Sequence, residues 1–277
     1  MKRRQAVSYV SKALFDAGIA EPEAKAKVIV SEALKTGFSH IYSDDEISAR
    51  DFAVIEEALR RCASGEPVEY VTGRAYFRYM ALKVTPDVLI PRKETELVAG
   101  TAIELIRKNS YRSVLDLCTG SGCIAVSVAT ETGATVTASD ISEKALALAA
   151  KNADSNGARA VTFIKSDMFD KIDAAFDLIV SNPPYISARE YERLDESVRN
   201  HEPKAALLAG DGLKYYRIIA AQAKKHISPG GAIVLEIGCD QAQAVSALLS
   251  GNGFDGIECM KDYEGRERIV SAFFKER

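Results

Sequence analysis

The chain has 277 residues, of which 47% are hydrophobic and 27% charged, which excludes a disordered chain and leaves room for two domains around a full core. A formal net charge of -3 and a pI near 5.8 argue against free nucleic acid as the main partner, since domains that bind it carry a basic face. Five scattered cysteines without a C-x-x-C pair, and three histidines without neighbours at ligand spacing, predict neither a disulfide nor a metal site. Met1-Lys2-Arg3-Arg4-Gln5 leads into an amphipathic pattern with no apolar leader or long uncharged span, so a cytoplasmic protein with no membrane partner is expected.

From Gln5 to Ala63 apolar residues recur at helical spacing: Val7, Val10, Leu14 and Ile19, then Ala24 to Leu34, then Phe52, Ile55 and Leu59. Gly18 with Pro22, Gly37, and the cluster Ser43-Asp44-Asp45 interrupt the pattern, so the segment reads as a small helical bundle. Ala75-Tyr76-Phe77 and Leu82-Lys83-Val84 read as a short β-hairpin. The expected organisation is a helical docking domain over residues 1–72, a hairpin linker over 73–89 and a catalytic domain over 90–277. Arg60, Arg61, Arg74, Arg78, Arg92 and Lys93 concentrate near this junction, where they form either a local basic patch or, as is commoner, solvated surface.

Ser113-Val114-Leu115-Asp116-Leu117 reads as a buried strand entering Cys118-Thr119-Gly120-Ser121-Gly122, and Ile124 to Thr130 then has the spacing of a helix start. Gly120 and Gly122 allow positive φ and close approach of a ligand to the backbone. Thr135 to Ser139 forms a second alternating strand that ends at Asp140, a carboxylate placed to accept from ribose hydroxyls. A nucleoside-bearing cofactor follows. The run Gly120 to Ala125 also satisfies the G-x-G-x-x-A dinucleotide fingerprint, but Asp116 beside the loop suits a cationic ligand such as S-adenosylmethionine and would repel a pyrophosphate. Val161 to Lys165 is a further strand, leading to Asp167, which can meet an adenine amine, and Met168, which either covers the ring face or fills core.

Phe176 to Val180 is an apolar strand followed by Asn182-Pro183-Pro184-Tyr185. The Asn oxygen accepts a hydrogen bond, the prolines contribute carbonyls without competing N–H groups, and the aromatic ring can lie over a planar NH2 group. The same dipeptide also marks ordinary turns. Ser187 to Gly212 is a long charged loop, either a substrate clamp or a linker. After Pro229-Gly230-Gly231, Ala232 to Ile237 is a buried strand. Gly256 to Met260 and Arg268 to Phe274 then require an antiparallel pair, because the link between them is too short for a helical crossover.

Asp116 to Gly122, Asp140 and Asn182 to Tyr185 together resemble a class I methyltransferase. More narrowly, Gly65 to Gly73, Leu89 to Glu96, Gly210 to Leu213 and Leu235 to Gly238 resemble, in order, the HemK family of release-factor glutamine methyltransferases. The resemblance runs from about residue 60 to the C-terminus. It implies a doubly wound α/β fold: a mostly parallel seven-stranded methyltransferase sheet with a C-terminal antiparallel hairpin, plus a small N-terminal helical domain. It further implies S-adenosyl-L-methionine as cofactor and the Gly-Gly-Gln loop of peptide chain release factors as substrate. Asp116, Cys118, Thr119, Gly120, Ser121, Gly122, Asp140, Asp167, Met168 and Asn182 are the expected cofactor-binding residues. Asn182, Pro183, Pro184 and Tyr185 are the expected substrate-binding residues, with Asn182, Pro183 and Tyr185 catalytic. Family members usually have Gly where Cys118 stands and often an aromatic residue where Met168 stands; a negative φ at Cys118 would leave cofactor affinity only modestly altered. Glu202 and Glu236 are set aside as general bases, since proton abstraction is not required. The rival readings are an exocyclic-amine methyltransferase acting on adenine in nucleic acid, a cofactor-binding protein without chemistry, and an NAD-linked oxidoreductase.

Overall fold

A computed structural model describes residues 1–275, and the chain divides into two compact units, one of residues 1–74 with 195–201 and the other of residues 75–194 with 202 onward. In the first unit, α1 (Arg3–Asp16), α2 (Pro22–Ala33) and α3 (Ala49–Ala63) bury Val7, Val10, Leu14, Ile29, Val30, Ile55 and Leu59, the faces their helical spacing marks. Pro22 occupies the first turn of α2, where a missing N–H costs nothing, and the Ser48 hydroxyl caps α3 by accepting from the Asp51 N–H at 3.1 Å. A short α4 (Val68–Thr72) follows Pro67 and ends at Gly73 in the left-handed region.

The hairpin strands are β1 (Arg74–Phe77) and β2 (Met80–Lys83). Then come α5 (Lys93–Asn109), β3 (Ser113–Leu117), α6 (Cys123–Thr132), β4 (Thr135–Asp140), α7 (Glu143–Ser155), β5 (Val161–Lys165) and β6 (Phe176–Ser181). Two short helices, α8 (Ala188–Tyr191) and α9 (Glu196–His201), occupy the segment expected as an open loop, and α9 groups with the first unit. The chain closes with α10 (Lys214–Ala223), β7 (Ile227–Glu236), α11 (Ala242–Gly251), β8 (Phe254–Lys261) and β9 (Glu267–Phe274).

The seven-stranded sheet has the order β5-β4-β3-β6-β7-β9-β8, parallel from β5 to β7, with β9 antiparallel to β7 and β8 antiparallel to β9. Alternate residues of the central strands feed opposite faces. Val114, Leu178, Val180 and Val234 pack with α5 and α6, whereas Leu115, Leu117, Ile179 and Leu235 pack with α10 and α11. Strand order reverses between β3 and β6, and in such sheets the crevice outside the carboxyl ends at that point receives ligands.

One boundary departs from expectation. Pro229-Gly230-Gly231 does not precede the strand but lies inside β7, where the register slips: Phe176 pairs with Ile227 while Leu178 pairs with Ala232. A Cβ on Gly231 would sit 2.8 Å from the Asp177 carbonyl oxygen, so the bulge requires glycine there.

Candidate active site

A cavity of about 320 Å³ lies in the second unit, walled by the segments that leave β3, β4, β5 and β6. Its lining includes Cys118, Thr119, Gly120 and Ser121 from the first, Asp140 and Ile141 from the second, and Asp167 and Met168 from the third. Asn182 and Pro184 come from the fourth. Gly122, Asp116, Pro183 and Tyr185 stand behind this lining: Asp116 and Pro183 are buried, and Tyr185 packs its ring against the α10/α11 side of the core.

The turn after β3 is held by its own backbone and by Asp116. The Thr119 N–H donates to the Ser139 carbonyl (2.9 Å) and the Gly122 N–H to the Thr119 carbonyl (2.8 Å). Asp116 is 0% exposed; its Oδ2 accepts from the Thr119 hydroxyl (2.6 Å) and the Ala125 N–H (3.1 Å), while its Oδ1 has no partner. Burial pushes its carboxyl up to about 7 despite those two bonds, and nearby Asp140 adds to the shift. Gly120 and Gly122 adopt φ of +54° and +81°, and a Cβ on Gly122 would lie 3.0 Å from that of Ala149.

Cys118 does not have the negative φ expected of it. At φ +59° it enters the left-handed region, because the chain must reverse there for the next N–H to reach β4. Its Sγ lies 3.9 Å from the Met168 sulfur. Met168 has φ +47°, is 7% exposed, and both lines the cavity and packs with Phe169 and Ile172, so it fills core while presenting a face to the cavity.

Asp140, the last residue of β4, accepts from the Gly120 N–H on Oδ2 and the Ser142 N–H on Oδ1, each at 2.9 Å. These bonds fix the carboxylate and leave each oxygen a lone pair. Burial raises its pKa, and the backbone bonds oppose that shift.

Beyond β6, Asn182 Nδ2 donates to Thr95 Oγ1 (3.1 Å), the Thr95 hydroxyl donates to Glu236 Oε2 (2.7 Å), and the Tyr185 hydroxyl donates to Glu236 Oε1 (3.3 Å). Burial, helped by the neighbouring Glu236 carboxylate, raises the Tyr185 pKa, so the phenol stays a donor. Gln241 Nε2 donates to the Tyr185 carbonyl at 3.0 Å and holds the end of the motif. Thr95, in the first turn of α5, is a cavity residue that motif reading missed. Thr95 lies within the stretch Leu89 to Glu96 that carried the family resemblance, but nothing in that stretch marks its partner 87 positions away.

The basic residues near the junction are mostly neutralised in pairs. Arg60 meets Glu57, Arg61 meets Glu66, Arg74 meets Glu32, Arg78 meets Glu131 and Arg92 meets Glu202. Glu202 also accepts from the Ile90 N–H, so it braces the entry to α5. Among the described residues no group of three or more His, Cys, Asp or Glu gathers as metal ligands would, and no helix is long and apolar enough to cross a membrane.

Two family models match the chain: "PrmC N-terminal domain" over residues 5–73 and "Methyltransferase small domain" over residues 94–201. A methyltransferase structure from Pyrococcus furiosus is similar in fold, with a TM-score of 0.51 and 18% identity over 71% of this chain and 89% of that one. The release factor glutamine methyltransferase of Lactococcus lactis is 43% identical over 82% of this chain and 84% of its own length. That of Agrobacterium fabrum is 41% identical over 94% of this chain and 93% of its own length. With identity of that level along nearly the whole of both chains, this protein belongs to the release factor glutamine methyltransferase family.

Proposed function

We propose that this chain transfers a methyl group from S-adenosylmethionine to the side-chain amide nitrogen of the glutamine in the Gly-Gly-Gln motif of peptide chain release factors. The observation that carries the reading is Asn182 at the cavity wall, with its NH2 group engaged by Thr95 and its carbonyl oxygen left as an acceptor. The names of the relatives agree with it.

The residues present fit the cofactor. The unpartnered Oδ1 of buried Asp116 is an unmet negative charge one residue behind the loop, suited to a ligand that carries an ammonium. Asp140 offers its remaining lone pairs to ribose hydroxyls, Asp167 accepts from an adenine amine, and Met168 and Ile141 supply apolar cover. Cys118 to Gly122 shape the backbone against which the ligand lies. When bound, S-adenosylmethionine supplies an electrophilic methyl group on a sulfonium.

A glutamine amide nitrogen is a weak nucleophile, so orientation matters more than a strong base. Asn182 Oδ1 and the Pro183 carbonyl accept its two hydrogens, Pro184 and Tyr185 stiffen and flank the site, and water takes the surplus proton. Alignment of this kind accounts for up to roughly 7–11 kcal/mol of barrier in the best intramolecular models. The two acceptors also stabilise positive charge growing on nitrogen. The helical unit is read as a second docking surface for the factor, and the reaction as a cytoplasmic one.

Purified protein with labelled S-adenosylmethionine should label a release factor, but neither the factor with its Gly-Gly-Gln glutamine replaced nor nucleic acid. Asn182→Ala should lower turnover by about 10²–10³-fold, the scale seen for removing one transition-state hydrogen bond, with cofactor affinity nearly kept. Label on nucleic acid would transfer the case to the adenine-amine reading, and near-normal turnover of the variant would refute the role of Asn182.

A further inference from the structure

We propose that Thr95 and Glu236 are positioning residues: by taking the Thr95 hydroxyl proton, Glu236 obliges Asn182 to present its carbonyl oxygen, and not its NH2 group, to the substrate amide. This rests on the reading that Asn182 receives that amide. The problem the pair solves is geometric. An Asn side chain fills the same space in either amide orientation, but the reversed one would aim two donors at a substrate nitrogen that itself carries only donors.

Counting protons decides the orientation. An ionised carboxylate only accepts, and Glu236, 1% exposed at the end of β7, accepts on both oxygens, from Thr95 and from Tyr185. The single Thr95 proton is therefore committed to Glu236. The Thr95 oxygen, 3.1 Å from Asn182 Nδ2, is left only as an acceptor, so the NH2 group must face it. Thr95 is itself 2% exposed, which shelters its bond to Glu236 from bulk solvent. The far end of the relay is also anchored. The Tyr216 hydroxyl donates to the Glu236 carbonyl (2.8 Å), and Arg268 Nη1 donates to the Ile237 carbonyl (3.3 Å).

The relay is reversible by one proton. Burial pushes the Glu236 carboxyl up to about 7; the Thr95 and Tyr185 hydrogen bonds and the Arg268 cation oppose the shift, and Glu94 adds to it. The other titratable groups that face it are Tyr185 beyond β6, Tyr216 on α10 and Cys123 at the start of α6; burial raises all three, which keeps them neutral near pH 7. A protonated Glu236 donates to Thr95, whose own proton then turns toward Asn182 and calls for the oxygen there. Turnover should accordingly fall about tenfold per unit of pH below the Glu236 pKa.

The test compares wild type, Thr95→Val and Thr95→Ser for kcat on a release factor, for cofactor Kd, and for the Asn182 side-chain amide signal in ¹⁵N NMR, identified by its loss in Asn182→Asp. We expect Thr95→Val to lower kcat about ten- to hundred-fold, the loss of one buried hydrogen bond, with Kd within about threefold. Thr95→Ser should restore kcat to near wild type. The amide signal should titrate near pH 7 in wild type and lose that titration in Thr95→Val. A Thr95→Val kcat equal to wild type, a Thr95→Ser as impaired as Thr95→Val, or an amide signal indifferent to pH would each overturn the relay. A wild type that methylates no release factor would instead overturn the functional reading, while the NMR arm would still decide the relay. Should Thr95→Val fail to fold, the wild-type titration and Thr95→Ser carry the test.

Discussion

Replacing Asp116 with Asn should stabilise the ligand-free protein in a pH-dependent way and weaken its hold on cofactor. A carboxyl whose pKa rises from 3.8 to about 7 on folding binds its proton more tightly in the folded state. The folded state is therefore favoured most below pH 3.8, loses that advantage as pH rises toward 7, and shows no further change above. At 1.36 kcal/mol per unit, the ionised side chain costs the fold about 4 kcal/mol at pH 8. An Asn keeps an oxygen for Thr119 and Ala125 and removes the charge. Glu236 also titrates abnormally but is present in both proteins and cancels in the difference, whereas Asp140 is coupled to Asp116 and contributes the smaller part of its shift, behind burial. Urea unfolding of both proteins at pH 5.5 and pH 8 should find the variant gaining about 2 kcal/mol on wild type between the two. Cofactor titrations should show a wild-type Kd that weakens below pH 7 and a weaker variant Kd that does not respond. A stability difference independent of pH would refute the reasoning, since it would mean that Asp116 is not buried as an unpaired charge.

Three further substitutions test the loop itself. Cys118→Gly removes a left-handed cost of roughly 1–2 kcal/mol while giving up the thiol's contact with Met168, so its Tm should match or exceed wild type and its cofactor Kd stay within about threefold. Cys118→Val, β-branched at the same φ, should lower Tm and weaken cofactor binding; equal behaviour of Gly and Val there would remove strain from the account. Gly122→Ala combines φ +81° with a Cβ 3.0 Å from Ala149, and should cost roughly 2 kcal/mol or more in denaturant unfolding.

What could be read from the sequence was what short stretches encode. Asn182 to Tyr185 is a stiff strand-end platform because two fixed φ angles follow one Asn, and Gly120 and Gly122 punctuate a strand-to-helix turn whatever surrounds them. The apolar run around Val114 to Leu117 marked a buried strand, and the pleat of the folded sheet then sends Val114 to one helical layer and Leu115 and Leu117 to the other. Thr95 escaped because its meaning lies in Glu236, 141 residues away, and no local pattern records a contact of that span. Cys118 misled because its residue type predicts negative φ while the return of the loop to Ser139 demands the opposite. Pro229 to Gly231 looked like punctuation, and only pairing with β6 turned it into a bulge within a strand.

The position of a carboxylate along its strand separates binding from building in this sheet. Asp177 lies near the amino end of β6, where burial raises its pKa but the N–H groups of Arg112 and Ser113, at 2.8 and 3.0 Å, more than offset it, and the net shift is downward. That charge ties the sheet together and adds stability. Asp116, Asp140 and Glu236 stand at or next to the carboxyl ends of β3, β4 and β7, and burial raises all three. Without a ligand those charges oppose folding, and no cation of the chain pairs directly with any of them among the hydrogen bonds and ion pairs of the described residues. A cationic ligand reverses the sign for the two that flank the glycine loop, because the ligand brings the positive charge that the sheet withholds. Binding should therefore stabilise the protein more at pH 8 than at pH 5.5, the reverse of the ligand-free trend. A thermal shift with S-adenosylmethionine that shrinks as pH rises would break the link between these buried carboxylates and the cofactor.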